Sequence, residues 1–430
     1  MNVRLNYGRQ GLGLRLNDNW SVDVYAKAHM PVVDNNALAV AKALDNPVVG
    51  ADSASPWQGK SACILICDIT WPVPNGILLP ALLDRLEQAG VEDITVLVAG
   101  GLNRPNLGAE LEELVGNAGV FNRAKVDNHN ARRLEDHVDL GRTSRGTPVL
   151  LDKRFVNADI KIVTGLVGPH FMAGYSGGSK VISPGICHQS TIIELRNSQV
   201  LEHPNAATCQ LDNNPMHADQ VEIANMLDRV WAVNVALDEQ RRLSFVNFGV
   251  LESSYSAALK FVKQYVEVPV KKHYATVITS AAGYPLDQTY YQAIKGMVGA
   301  QGLLAPGGHL FIAAECRQGL GSPEFVQAQR RLMAQGAEKF HQNLLAKPQA
   351  EIDEWYTEML LRALRCGPIS LYAPVLNREQ ASLTGVTVVD DLESAIEQWV
   401  GGLSDKSVAV VPEGPYISPR GLVAQMDLPF

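Results

Sequence analysis

The sequence lacks the patterns that mark a disulfide scaffold or a thiolate metal site. Its six cysteines, Cys63, Cys67, Cys187, Cys209, Cys316 and Cys366, form no CxxC pair and keep no regular spacing. Cys63 and Cys67 fall in the apolar run "ACILICD", where they are expected to be buried as small hydrophobes. That usage fits a reducing cytoplasm. The N-terminal "MNVRLNYGRQGLGLRL" carries no apolar stretch of the signal-peptide kind, and no segment reaches the roughly 18 apolar residues of a membrane helix. Basic blocks are missing as well. The net charge is −8 and no Lys/Arg stripe could track phosphates, so nucleic acid is excluded as the expected partner. No GxGxxG follows the first strand-like run, which sets aside an ordinary nucleotide-dependent dehydrogenase. There is no internal repeat and no low-complexity segment.

What is present is a chain of 430 residues, 46% hydrophobic and 19% charged, the composition of a folded protein with more than one domain. Three apolar runs in its first half share one design. "SACILICDITWPVPNG" stops at Asp68 and Thr70, "ITVLVAGGLNRPN" stops at Gly100-Gly101 before Asn103 and Arg104, and "IKIVTGLVGPHFMAG" stops at Gly165 before His170. Continuous Val/Ile/Leu runs suit parallel strands covered on both faces. Helical stretches lie between them, "LLPALLDRLEQAG" and "GAELEELVG" among them. The alternation predicts a doubly wound α/β domain, in which ligands bind beyond the carboxyl ends of the strands.

The stretch "HFMAGYSGGSK" extends this edge. Gly174, Gly177 and Gly178 permit left-handed backbone and close approach of a ligand, between His170 and Lys180. Near residue 270 the character changes. "VPVKK" at 268–272 reads as a hinge, followed by a new strand and then by the helix "LDQTYYQAIKGMVGAQGLL", with Asp287 or Thr289 at its start. On that helix Tyr291 and Gln292 neighbour Lys295 on one side. The expected architecture is therefore two α/β domains with mainly parallel sheets, residues 1–268 and a smaller 273–430, with the site in the cleft between them.

The motifs "DITWPVP", "GGLNRP", "GPHFMAGYSGGSKVISPG", "GYPLDQTYYQAIKGM", "AAECRQGLG" and "EWY" together resemble the nickel-pincer nucleotide-dependent lactate racemases and related 2-hydroxyacid racemases and epimerases, nearly end to end. The resemblance implies a small-molecule 2-hydroxy acid substrate, cofactor-maturation enzymes as partners, and a pyridinium-dithiocarboxylate mononucleotide with nickel, bonded covalently to Lys180. It implies that Asp68, Thr70, Gly174, Ser176, Gly177 and Gly178 seat the nucleotide, the glycine-rich stretch offering backbone N–H groups to its phosphate. His170 matches a histidine that moves a proton at the substrate hydroxyl, a task suited to an imidazole pKa. Lys295 would hold a carboxylate or keto oxygen, while Tyr291, Gln292 and Trp355 would line the substrate pocket.

Three positions depart from the family pattern. Trp71 stands where the family has an arginine that grips the substrate carboxylate. Asn103 stands where it has a second catalytic histidine; an amide can orient a hydroxyl but cannot take its proton. The region around Arg196 occupies the place of the nickel-ligand histidine, leaving His188 and His203 as candidate metal ligands. Arg104 or Arg196 could replace the lost carboxylate partner, and Trp71 could stack on a larger substrate, possibly a sugar-type acid, so lactate itself is not the expected substrate. The alternative is a non-racemising nucleotide- or cofactor-binding protein on the same scaffold.

Overall fold

A computed structural model describes residues 1–48 and 56–421. Two six-stranded sheets organise the chain. The first runs, in spatial order, Leu243–Val250, Val230–Leu237, Ile160–Leu166, Ser61–Cys67, Asp93–Ala99 and Lys125–Asn128. All neighbours are parallel except the edge strand Leu243–Val250. The central strands are apolar along their length because helices cover both faces, and every residue of Ile160–Leu166 and Val230–Leu237 is buried. The helix Asn75–Gln88 covers one face, burying Leu78, Leu79, Leu82, Leu83 and Leu86 at helical spacing.

The second sheet is all parallel, in the order Thr387–Val389, Ile369–Tyr372, Leu304–Ala313, Tyr274–Ser280, Ser407–Val411 and Ser21–Val24. Both expected α/β halves are therefore present. The N-terminus amends the expected division at residue 268. Ser21–Val24 pairs in parallel with Ser407–Val411 in the second sheet, and Leu5, Leu14 and Leu16 pack into its core with Ile278, Phe311 and Val410. "SVDV" is too short to declare its partner, and an edge strand can be supplied from anywhere in the chain. The chain also crosses between the halves twice. Glu267–Pro269, at the expected hinge, pairs in parallel with Ser418–Arg420.

After Ile160–Leu166 the chain turns through a short antiparallel pair, Pro169–His170 with Gly174–Tyr175, and enters the helical turn Ser179–Ile182. Gly177 and Gly178 both take positive φ, +82° and +55°. The loop also passes close to the end of the strand beneath it: a Cβ on Gly177 would lie 2.8 Å from Val167 Cγ2. Only glycine satisfies both demands at 177. Thr289 caps the helix Tyr290–Gln301, its side chain accepting from Gln292 N–H, which fixes the register that points Tyr291, Gln292 and Lys295 inward. No helix among the described residues is long and apolar enough to cross a membrane.

Candidate active site

In the first sheet the connections leave Ser61–Cys67 and Ile160–Leu166 in opposite directions, so a crevice opens between their carboxyl ends. A cavity of about 80 Å³ sits there. Asp68, Thr70 and Trp71 reach it from the first strand end, Asn103 from the second, and His170, Ser176, Gly177 and Lys180 from the third. Tyr291, Gln292 and Lys295 close it from the other half of the molecule. Eleven expected site residues thus meet at one place. The cavity adjoins a cleft of about 680 Å³, with which it shares Asp68, Thr70, Asn103, Tyr291 and Gln292.

The cavity is rich in cations. The indole of Trp71 lies 5.0 Å from Lys180 Nζ and 5.2 Å from Lys295 Nζ, and packs nearly parallel to the His170 ring at 6.4 Å. Burial, with Arg196 nearby, lowers the Lys180 ammonium to about 8. Burial and the charge of Lys180 lower Lys295 to about 7. Burial, followed by the charges of Lys180, Lys295 and Arg196, holds the His170 imidazole well below its ordinary value. The facing carboxylate is Asp68, which accepts from Thr70 N–H (2.9 Å), Thr70 Oγ1 (2.5 Å) and Asn103 Nδ2 (2.6 Å).

Other expected site residues lie elsewhere. Arg104 is held by both oxygens of Glu110, at 2.6 and 2.8 Å, and by Gln318; it borders the cleft but not the cavity. Trp355 is fully buried behind the wall, where Nε1 donates to Tyr291 Oη at 3.2 Å. Gly174 and Gly178 serve packing: a Cβ would lie 2.3 Å from Gln210 O in one and 2.7 Å from the Tyr255 ring in the other. Ser176 lines the cavity, but its hydroxyl donates to Leu166 O at 2.7 Å. His188 caps the helix Gln189–Leu195 and packs against His137, and His203 Nδ1 accepts from Asn205 N–H. Neither histidine reaches the cavity.

Three further residues complete the wall: Arg196, one of the two arginines expected to take over the carboxylate, and Tyr356 and Asp353, which carried no clear sequence signal. Arg196 lines the cavity with its guanidinium 4.9 Å above the Trp355 ring, and it makes no ion pair or hydrogen bond among the described residues. Tyr356, next to Trp355 in "EWY", stacks on Tyr291 with ring centroids 3.6 Å apart. Asp353 accepts from Tyr291 Oη (2.9 Å) and Ser322 Oγ (2.5 Å), and burial raises its carboxyl.

The site fits one part of the expected cofactor better than the other. Lys180, Lys295 and Arg196 outnumber Asp68, which suits an anionic nucleotide, and the buried Gln292 Oε1 has no partner among the described residues. No group of three or more His, Cys, Asp or Glu among the described residues could hold a metal ion. At position 196 a guanidinium has no lone pair to offer. The residues therefore fit a tethered nucleotide and supply no imidazole for its metal.

Comparison with known proteins identifies the family. The family model for the lactate racemase N-terminal domain matches residues 7–209, and that for the lactate racemase C-terminal domain matches residues 270–417. A lactate racemase from Thermoanaerobacterium thermosaccharolyticum is 30% identical over 422 residues, covering 96% of this chain and 98% of the relative. A lactate racemase from Lactiplantibacillus plantarum is 29% identical over 382 residues, covering 87% and 89%. The solved apoprotein of the T. thermosaccharolyticum lactate racemase superposes with a TM-score of 0.87 at 27% identity, across 98% of this chain and 100% of that one. A Thermotoga maritima protein of 15% identity shares the fold, with a TM-score of 0.69 over 92% of this chain and 100% of that one.

Proposed function

The chain belongs to the lactate racemase family, and from that premise we propose that it racemises or epimerises a 2-hydroxy acid larger than lactate, using a nickel-pincer nucleotide tethered to Lys180. The observation that carries this reading is Lys180 itself. It ends the glycine-rich loop inside the cavity, and burial lowers its ammonium to about 8, so a reactive share of free amine exists near neutral pH. When bound, the cofactor supplies a hydride acceptor and donor for C2 of the substrate.

The protein's own residues handle the rest. Arg196, which meets no carboxylate among the described residues, takes the substrate carboxylate, whereas Arg104 is already engaged by Glu110. Gln292 Oε1 offers an unused acceptor to a substrate hydroxyl. Asn103, its amide N–H₂ turned to Asp68, presents its oxygen to another. Trp71 forms an aromatic wall in place of a charged fork, and the adjoining cleft of about 680 Å³ leaves room for a longer substrate. Burial of the reacting centre excludes water that would compete for these contacts.

A second reading, a cofactor-binding protein without turnover, is favoured by the substitutions at positions 71, 103 and 196. Intact-mass analysis of the protein co-expressed with the family's cofactor-maturation enzymes, combined with a chiral assay of 2-hydroxy acids, separates the two. An adduct on Lys180 together with racemisation supports the first. An adduct without turnover of any 2-hydroxy acid supports the second, and an unmodified chain contradicts both.

A further inference from the structure

We propose that Asp353 is a positioning residue: through Tyr291 and Trp355 it fixes the Arg196 guanidinium that takes the substrate carboxylate. This rests on the reading of Arg196 given above. Among the described residues Arg196 makes no hydrogen bond or ion pair, and its guanidinium rests on the Trp355 ring, 4.9 Å from the centroid. Arginine has several rotatable bonds, and one held by a ring face is only as well placed as that ring. A carboxylate, however, is gripped in a forked geometry that tolerates little misplacement.

The indole has one polar atom with which to fix its own plane. Trp355 Nε1 donates to Tyr291 Oη at 3.2 Å. The Tyr291 hydroxyl has a single hydrogen, and it goes to Asp353 Oδ1 at 2.9 Å. That leaves the oxygen's lone pairs for the indole N–H. A hydroxyl turned the other way would set hydrogen against hydrogen. Asp353 thus sets the direction of the whole chain. Its second oxygen accepts from Ser322 Oγ at 2.5 Å, and Ser322 caps the helix Pro323–Gln335 by accepting from Phe325 N–H. The carboxyl is thereby clamped between Ser322 and Tyr291, which stands on the helix Tyr290–Gln301. Tyr356 stacks on the Tyr291 ring, but a stack allows sliding and gives the hydroxyl no direction.

The backbone at Asp353 points the same way. The residue stands immediately before the helix Glu354–Cys366, where an aspartate ordinarily accepts from the first N–H groups of the helix. Here the side chain makes no capping bond, and the backbone is left-handed, with φ +63° and ψ 0°. A residue with a side chain is strained in that region. The strained conformation turns the carboxyl away from the helix end and toward Tyr291. Asp353 is 6% exposed and lies on the wall shared by the cavity and the cleft.

The test needs no cofactor. Binding of 2-oxohexanoate to the free chain is measured by calorimetry in a double-mutant cycle of Asp353→Ala and Arg196→Gln. Asp353→Ala should weaken binding by about 3- to 12-fold, the worth of one hydrogen bond. In the Arg196→Gln background the same substitution should change affinity less than about twofold, because the group it positions is gone. Asp353→Asn keeps an acceptor for Tyr291 and offers its amide N–H₂ to Ser322, so it should recover most of the loss. Tyr291→Phe keeps the ring and removes the hydroxyl that joins Asp353 to Trp355. It should reproduce the loss and its dependence on Arg196, and it carries the test if Asp353→Ala does not fold.

Equal losses in both backgrounds, or an Asp353→Asn chain that binds as weakly as Asp353→Ala, would mean that Asp353 serves the fold alone. The proposal then fails while the reading of Arg196 stands. Full affinity in Arg196→Gln itself removes Arg196 as the carboxylate partner, and the proposal goes with it.

Discussion

The ring of Trp71 lies 5.0 Å from Lys180 Nζ, so the residue that replaces the family's arginine forms a wall beside the lysine expected to carry the cofactor. An aromatic face accepts a neighbouring ammonium without adding a charge to an already cationic cavity. Trp71→Arg should therefore have two separable effects. It restores a fork for a small carboxylate, raising kcat/KM for lactate by about 10- to 150-fold, the worth of a charged hydrogen bond of about 1.5–3 kcal/mol. In the free chain, where Lys180 carries no tether, a third neighbouring cation also lowers Lys295 further. Steady-state kinetics with lactate and with longer 2-hydroxy acids measures the first effect, and competitive acetylation of the free chain across pH measures the second.

Arg196 and Arg104 should respond differently to truncation. Arg196→Gln removes from the cavity wall a guanidinium that makes no ion pair among the described residues, and should weaken binding of a 2-keto acid to the free chain by about 10- to 150-fold in calorimetry. Arg104→Gln breaks a contact with Glu110 at the cleft border and should change that affinity less than threefold. Equal losses would mean that the carboxylate sits in the cleft.

Lys180→Ala should abolish the covalent adduct and leave the fold intact. The side chain makes no ion pair among the described residues, and its charge is held in a poorly solvated place, so removal relieves a burial cost. Urea midpoints equal to or above wild type, with an unmodified mass, are the expected outcome.

A stability prediction comes from the contact between the two halves. Glu358 is buried, accepts from Ser198 Oγ at 3.0 Å, and is raised to about 8 by burial and by the nearby Glu202. An unfolded glutamate titrates near 4.3, so between these values the folded state binds the extra proton. Stability then falls as pH rises through that window, by at most about 1.4 kcal/mol per pH unit. Glu358→Gln keeps a neutral side chain and should lose that slope, so its advantage over wild type grows from pH 5 to pH 8 in urea unfolding.

How much of this was legible in the sequence depends on the range of the interactions. Asp68 and His170 were readable because a buried strand ends abruptly in a polar residue, and in a parallel sheet such ends gather at one edge. Tyr291, Gln292 and Lys295 were readable because one turn of helix brings them together. The stack of Tyr356 on Tyr291 and the bond from Tyr291 to Asp353 join residues more than 60 positions apart, and no local pattern announces them. The same limit hid the different states of the two arginines: Glu110 engages Arg104, while Arg196 rests on an aromatic ring. Gly174 and Gly178 read as a ligand cradle because a glycine that avoids Gln210 or Tyr255 looks, in sequence, the same as one that admits a phosphate. His188 looked like a metal ligand by proximity to Lys180, but its role in capping a helix turns it toward His137.

The most direct test of the central claim follows the hydrogen at C2. Loaded enzyme is given one enantiomer of a 2-hydroxy acid deuterated at C2, in ordinary water, and both enantiomers are analysed by chiral chromatography and mass spectrometry as they approach equality. Hydride removal and return predicts that the newly formed enantiomer retains deuterium at C2, with the hydroxyl proton alone exchanging with solvent. Formation of that enantiomer with hydrogen from water at C2, or no racemisation of any 2-hydroxy acid by adduct-bearing protein, would contradict it.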